Sequence, residues 1–266
     1  MRKENKKELA SKLGVSRASL YYVPKQPVKD WTFKCEIEKA LRIHPSYGYR
    51  RLALYLGVNK KRAYRVMKLY GIQPYRRRGR KWRKRSPKPE HAVANLLLAT
   101  EPAHPNHIWA TDFTHIDWKG TRLYLCTMID LFTRRVTGFS VLGNHGVQLV
   151  IGAFFSGIHK HPSPEILHSD RGSEYTGKDM EALLELLDVT PSMSRAGCPW
   201  ENGYQESFYS HFKVDLGDPG RFATLGELVY EIYRLIHSYN TDRIHSVLKM
   251  PPQTFALRYQ VEQFLS

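Results

Sequence analysis

The chain has 266 residues, room for one large domain or two to three small ones, and its 42% hydrophobic and 12% aromatic content excludes a disordered tail. Against 25 Asp and Glu stand 41 Lys and Arg, a net charge of +16 that points to a polyanionic partner. Cys35, Cys126 and Cys198 lie far apart with no CxxC pair, which excludes a disulfide scaffold, argues against a cysteine zinc finger and fits a reduced cytosol. The charged start MRKENKKELASK has no apolar run behind it, and no stretch approaches the roughly 18 apolar residues of a membrane helix, so neither a signal peptide nor a membrane span is expected.

The charge is unevenly placed. Residues 1–90 carry 27 basic and 6 acidic side chains, and the remainder carries 14 and 19, so a strongly basic front precedes an acidic back. In chain order, helices are expected near 4–13, 16–22, 33–43, 47–56 and 59–70. Within them LGVSRASLY at 13–21 repeats as LGVNKKRAY at 56–64, with Ala10 and Ala53 each four positions before a glycine. Small residue, glycine turn, polar cap (Ser16, Asn59) and second helix form a helix-turn-helix pattern, although a plain helical hairpin fits as well. The second copy would carry Lys60, Lys61, Arg62, Arg65 and Lys68 on a helix able to enter a major groove. Arg50 and Arg51, just before it, are expected to bind DNA as well. Gly71 and Pro74 end the helical region, and RRRGRKWRKRSPK at 76–88 follows, nine of its thirteen residues basic. This stretch reads as a basic linker strap in which Arg76, Arg77, Arg78, Arg80 and Lys81 meet phosphates without sequence specificity.

After Pro105 the period changes. HIWATDFTHIDW, a Lys-Gly turn and RLYLCTMIDLFTRRVTGFSVL predict three neighbouring strands. A helix over 146–160, a strand over 165–169, a helix over 177–188, a strand over 189–193 and a helix from near Trp200 follow. Hairpin strands and then alternating helix and strand predict an α/β fold with a mixed sheet.

Three acids stand out here. Asp112 lies in the first strand, Asp170 just past the strand EILHS, and Glu206 one turn into ENGYQESFYSHFK. Strand ends of such a sheet gather ligand groups, and a helix packed across it could bring Glu206 to the same point. Carboxylates without histidine or thiol partners suit Mg²⁺ or Mn²⁺, and two such ions suit phosphodiester chemistry. Singly, each acid reads as a salt bridge or cap. Asp117, five past Asp112, should face the opposite side of the strand, and Asp130 should pair with Arg134 or Arg135. His168 reads as a core or surface histidine and Glu174 as a loop stabiliser. Lys213, seven after Glu206, and Asn202, four before it, share its helix face; a helix cap is the other reading of Asn202.

TDFT, HSDRGSEY and a glutamate with 35 residues between it and Asp170 resemble the DDE transposase and retroviral integrase superfamily. ENGYQESF with Lys213, YNTDRIHSVLKMPPQTF at 239–255, HPSYGYRRLALYL at 44–56 and KRAYRVMK at 61–68 resemble more narrowly the bacterial insertion-sequence transposases of the IS-three group. The resemblance implies a ribonuclease-H-like core in which Asp112, Asp170 and Glu206 bind two Mg²⁺ or Mn²⁺ ions. It implies cleavage at an element's end and strand transfer by the freed 3′-OH, with Lys213 holding a phosphate; Asn202, from its place on the same helix face, is expected to touch the DNA or orient Glu206.

The expected layout is a helical DNA-binding region at 1–72, a basic linker at 73–104, the catalytic core at 105–214 and a helical extension at 215–266. Expected partners are double-stranded DNA (terminal inverted repeats and target), a second copy of the chain or more, and an upstream OrfA-type product. The expected location is the bacterial cytoplasm, at the nucleoid. The His/Cys module of retroviral integrases has no counterpart, since residues 1–75 offer only His44 and Cys35, and no heptad run appears. A catalytically silent DNA-binding regulator and a nuclease that cuts without joining are the rival readings. Tyr239, Asn240, Arg243 and His245 read equally as a brace for the catalytic helix and as DNA contacts.

Overall fold

A computed structural model describes residues 6–22, 25–75, 93–195 and 198–265. The basic run 76–88, and with it Arg76, Arg77, Arg78, Arg80 and Lys81, lies outside the described residues.

The front is helical: α1 (Lys6–Lys12), α2 (Gln26–Ile43), α3 (Tyr49–Tyr55) and α4 (Lys60–Leu69). Two expectations need correction. The helix expected at 16–22 is a 3-10 turn over Arg17–Tyr21, because only five residues separate the Ser16 cap from the release at Tyr22. The helix expected from 33 starts at Gln26, with Pro27 in its first turn, where a missing N–H costs nothing. The repeated glycine turn is real in both copies. Gly14 and Gly57 have φ of +64° and +63°. In each copy the next valine amide bonds back to the alanine carbonyl, Val15 to Ala10 at 3.1 Å and Val58 to Ala53 at 2.9 Å. That is the Schellman ending, and Gly71 (φ +64°) repeats it with Ile72 bonded to Met67 at 2.8 Å. Ser16 and Asn59 cap as expected, accepting from the amides of Ser19 and Lys61. Only the second copy has two regular α-helices around its turn.

The back half holds β1 (Ile108–Trp118), β2 (Thr121–Asp130), β3 (Val136–Leu142), α5 (Val147–Ile158), β4 (Ile166–Ser169), α6 (Lys178–Leu186), β5 (Thr190–Met193) and α7 (Gly203–Leu216). The sheet order is β3-β2-β1-β4-β5, antiparallel among the first three strands and parallel from β1 to β4 and from β4 to β5. Alternation along β1 and β2 divides the apolar residues between two faces. Trp109, Cys126 and Met128 pack with α5 and α6 on one face; Ile116, Leu123, Leu125 and Ile129 pack with α7 and α8 (Leu225–Thr241) on the other. The sheet is therefore covered on both sides. No helix among the described residues is long and apolar enough to cross a membrane.

The segment after α8 leads to α9 (Pro252–Leu265) and returns to the front half. Ile244 is buried in the core of α2, α3 and α4, and its amide donates to Tyr47 Oη at 2.7 Å. Arg243 donates to Ser46 Oγ at 2.7 Å and to the Asp215 carboxylate at the end of α7, joining the helical region to the sheet layer.

Candidate active site

The parallel pairing of β1 with β4 sets Ala110 against His168, so Asp112 and Asp170 each stand two residues past that pair on adjacent chains. Asp112 is also aligned with Thr127 of β2. The third acid comes from α7, which a polar stripe fastens across the same strands. Gln205, fully buried, donates to the carbonyls of Ala110 at 2.7 Å and Thr127 at 3.0 Å, and accepts from Thr127 Oγ1 at 2.9 Å. Tyr209 Oη donates to the Asp112 carbonyl at 2.6 Å. Asn202 Nδ2 donates to the Thr111 carbonyl at 3.0 Å. Glu206 is exposed between these anchors.

Electrostatics tie the four residues together. The Asp112 carboxyl is pushed up to about 7, first by burial, then by the Asp170 charge and more weakly by Glu206; the Phe113 amide, donating at 2.8 Å, and Lys213 oppose the rise. Three elements thus deliver Asp112, Asp170, Glu206 and Lys213 to one neighbourhood. Among the described residues no three histidine, cysteine or acidic side chains stand close enough together to hold a metal ion. The donor set still fits a hard divalent ion. It is made of carboxylate oxygens, and the repulsion on Asp112 is the field that a cation relieves.

The other singled-out residues have different employment. Asn202 makes no capping bond for α7 and is buried, so the cap reading is replaced by a tie to β1. Asp117 pairs with Arg122 at 2.6 Å at the exposed end of the hairpin. Asp130 corrects an expectation. Its carboxylate accepts from Thr133 Oγ1 at 2.6 Å and the Phe132 amide at 3.0 Å, closing the β2–β3 turn, while Arg135 bonds Gln253 and His161 instead. His168 is core: its two ring nitrogens bond Ser192 and Ser194, and burial holds its pKa down at about 4. Glu174 braces its loop by pairing with His145 at 2.7 Å.

The C-terminal cluster braces rather than lines the site. Tyr239 Oη donates to the Arg134 carbonyl, and the Asn240 amide bonds both the N–H and the C=O of Val136 at 2.9 Å. Burial and the neighbouring arginines hold His245 at about 4.

The expected DNA contacts divide. Arg65 forms a two-pronged bond to buried Asp30 at 2.7 and 2.5 Å, and Arg62 lies 4.4 Å over the Phe33 ring. Arg51 is half-buried beside His211 and Tyr47. Arg50, Lys60 and Lys61 are exposed. Gln205 and Tyr209 escaped sequence reading, although Asn202, Gln205 and Tyr209 form a polar stripe at positions i, i+3 and i+7, on a face where Phe208 and Phe212 are core.

Residues 102–199 and 187–252 both match integrase core domain families. The 31 kDa protein of insertion element IS600 from Shigella sonnei is 30% identical over 92% of this chain and 96% of its own length. The transposase of element IS904 from Lactococcus lactis is 39% identical over 54% of this chain and 58% of its length; transposase InsF of element IS3A from Escherichia coli is 33% identical over 53% and 50%. This chain therefore spans only about half the length of those last two relatives. The catalytic core of HTLV-2 integrase, solved with magnesium, superposes with a TM-score of 0.50 at 19% identity over 59% of this chain and 99% of that one. The simian T-cell lymphotropic virus intasome gives 0.53 at 16% identity over 79% and 70%. The fold is that of the ribonuclease-H-like integrase cores. The chain belongs to the insertion-sequence transposases of the IS-three type, within the integrase superfamily.

Proposed function

We propose that this chain is a DDE transposase that cleaves the phosphodiester at an insertion element's end and joins the freed 3′-OH to another phosphodiester. The carrying observation is the field at Asp112, where the charges of Asp170, Glu206 and Lys213 converge from just past β4, the first turn of α7 and its last turn. Asp112, Asp170 and Glu206 are the residues that would hold two Mg²⁺ or Mn²⁺ ions, which supply Lewis-acid activation of the attacking oxygen and stabilisation of the leaving one.

The remaining work falls to the chain itself. Lys213 supplies a positive charge beside the carboxylates, suited to hold a non-bridging phosphate oxygen. Asn202, Gln205 and Tyr209 keep the Glu206 turn of α7 seated on β1 and β2. The basic front, at +21 over residues 1–90, holds the duplex that the acidic core would otherwise repel. Joining two ends requires two protomers or more on DNA, and an upstream OrfA-type product would complete end recognition. Such a protein works at the bacterial nucleoid.

The test is a labelled duplex carrying the element's own terminal sequence, incubated with Mg²⁺ or Mn²⁺ and resolved for nicked and joined strands. Wild type is expected to give both products, and Glu206→Gln neither. Cleavage by Glu206→Gln at the wild-type rate would overturn the assignment. Nicking without joining by wild type would favour a plain nuclease.

A further inference from the structure

The segment that follows α8 does more than brace the core. Arg243 and Ile244 anchor it on the helical region, and two backbone bonds then close a tight turn: the His245 amide donates to the Met250 carbonyl at 3.1 Å and the Lys249 amide to the His245 carbonyl at 2.9 Å. Lys249 adopts φ +61° in this turn, the left-handed region, and its Nζ donates to the Ser246 carbonyl. The turn thereby carries Lys249 to a cleft of about 880 Å³ at the α3–α4 junction, which it lines with Arg50, Lys60, Lys61, Tyr49 and Tyr64.

The cleft's composition is selective. Four cations face it and its lining includes no carboxylate. Tyr49 and Tyr64 meet edge to face at 5.2 Å, and Arg50 Nε donates to Tyr49 Oη at 3.2 Å, which holds the wall and one cation in place. Meanwhile Arg62 and Arg65, two of the three other bases of α4, are turned toward Phe33 and Asp30 of α2, and Lys68 lies in its last turn. The end of α4 that borders the cleft is Lys60–Lys61, and this end is where the C-terminal turn contributes a lysine.

We propose that this cleft is a composite clamp for the phosphates of duplex DNA, with Lys249 as a DNA-binding residue supplied from outside the helix-turn-helix. The proposal rests on the transposase reading and adds to it a surface shared by two segments almost 200 residues apart. DNA seated in the cleft touches the α8–α9 connection and the helical region together. Binding then also fastens the brace formed by Arg243 and Ile244.

Because Lys249 is left-handed, Asn is the suitable replacement, since it tolerates that conformation. Duplex binding by full-length wild type, Lys249→Asn, Lys249→Arg and Lys160→Ala is compared by fluorescence anisotropy between about 50 and 300 mM salt. Each phosphate contact contributes roughly 0.9 to the slope of log affinity against log salt. Lys249→Asn is expected to bind several-fold more weakly at about 0.1 M salt, with the slope reduced by about one. Lys249→Arg should restore both, and Lys160→Ala, which removes an exposed charge beside α5, should change neither. An unaltered slope in Lys249→Asn overturns the proposal, as does an equal loss in Lys160→Ala, which would mean a bulk charge effect. Failure of wild type to bind any duplex also overturns the clamp; metal-dependent cutting and its loss in Glu206→Gln are read out separately.

Discussion

Asp112 and Asp170 lie level with one another, each two residues beyond the Ala110–His168 pair of two adjacent parallel strands. Neighbouring strands run roughly 4.8 Å apart, so the register starts the two acids from adjacent positions, although Asp170 itself lies just past the end of β4. Burial raises the pKa of Asp112 most, and the Asp170 charge raises it further.

This predicts a pH-dependent affinity for divalent ions. With Asp112 at about 7, a proton occupies a ligand position through most of the population at pH 6 and little of it at pH 8. Mn²⁺ titration followed by electron paramagnetic resonance should show binding about tenfold weaker at pH 6 than at pH 8. Asp112→Asn should bind weakly at both. Since the folded state holds this proton more tightly than the unfolded chain, metal-free stability should fall as pH rises from about 4 through 7, and saturating Mn²⁺ should reverse that trend.

Gln205→Ala removes three bonds between α7 and the β1–β2 pair and takes a donor from two strand carbonyls, while the Thr127 hydroxyl keeps its bond to Tyr209 Oη. A loss of roughly 2–4 kcal/mol in denaturant unfolding is expected from cavity and unsatisfied groups together. Strand cleavage should fall even at temperatures where the variant is fully folded, because Glu206 sits on the next residue of the same turn. Unchanged cleavage would mean that Asn202 and Tyr209 seat the helix alone.

Arg243→Ala leaves Asp215 at the end of α7 without its cation and removes the tie to Ser46. Orphaning a largely buried charge costs about 3–5 kcal/mol. Limited proteolysis should then cut between the helical region and the sheet layer at protease levels that leave wild type intact. Lys at this position should recover only part of the loss, since it cannot bond both partners in one plane.

Acidification should destabilise the fold through its neutral histidines. His168, fully buried, is held at about 4 mainly by burial, against 6.5 for the free side chain. Its contribution is complete above pH 6.5 and is lost as pH falls toward 4, so the melting temperature should drop across that window. His168→Gln, which keeps hydrogen-bonding capacity but no titration there, should flatten the drop.

Gly138→Ala should be poorly tolerated for a purely steric reason. A Cβ there would stand 2.3 Å from the Ala153 carbonyl oxygen and 2.5 Å from the Gly157 amide of α5. Helix and strand would have to separate, at a cost of roughly 1–3 kcal/mol or more. Thermal unfolding of the purified variant checks this.

Much of this protein was legible before any tertiary structure. The alternation of Trp109, Phe113 and their neighbours marks strands, the 3.6-residue period marks α4 through α7, and the glycines at 14 and 57 mark two turns that both prove left-handed. These are local properties, set by Cβ sterics and by which side chains water rejects. Local reading erred at element starts. The helix expected from residue 33 starts at Gln26, with Pro27 in its first turn, and the short RASLY segment could not sustain an α-helix between Ser16 and Tyr22.

What the linear order determined, then, was the set of elements and the identity of three spaced acids. Their meeting point was decided by the tertiary structure, because a carboxylate's pKa and partners depend on through-space distance and burial, which no local pattern encodes. The same holds for the bases. Arg62 and Arg65 looked like equals of Lys60 and Lys61 in sequence, yet packing of α2 against α4 engages the first pair, still exposed, with Phe33 and Asp30 and sets the second pair on the cleft beside Lys249.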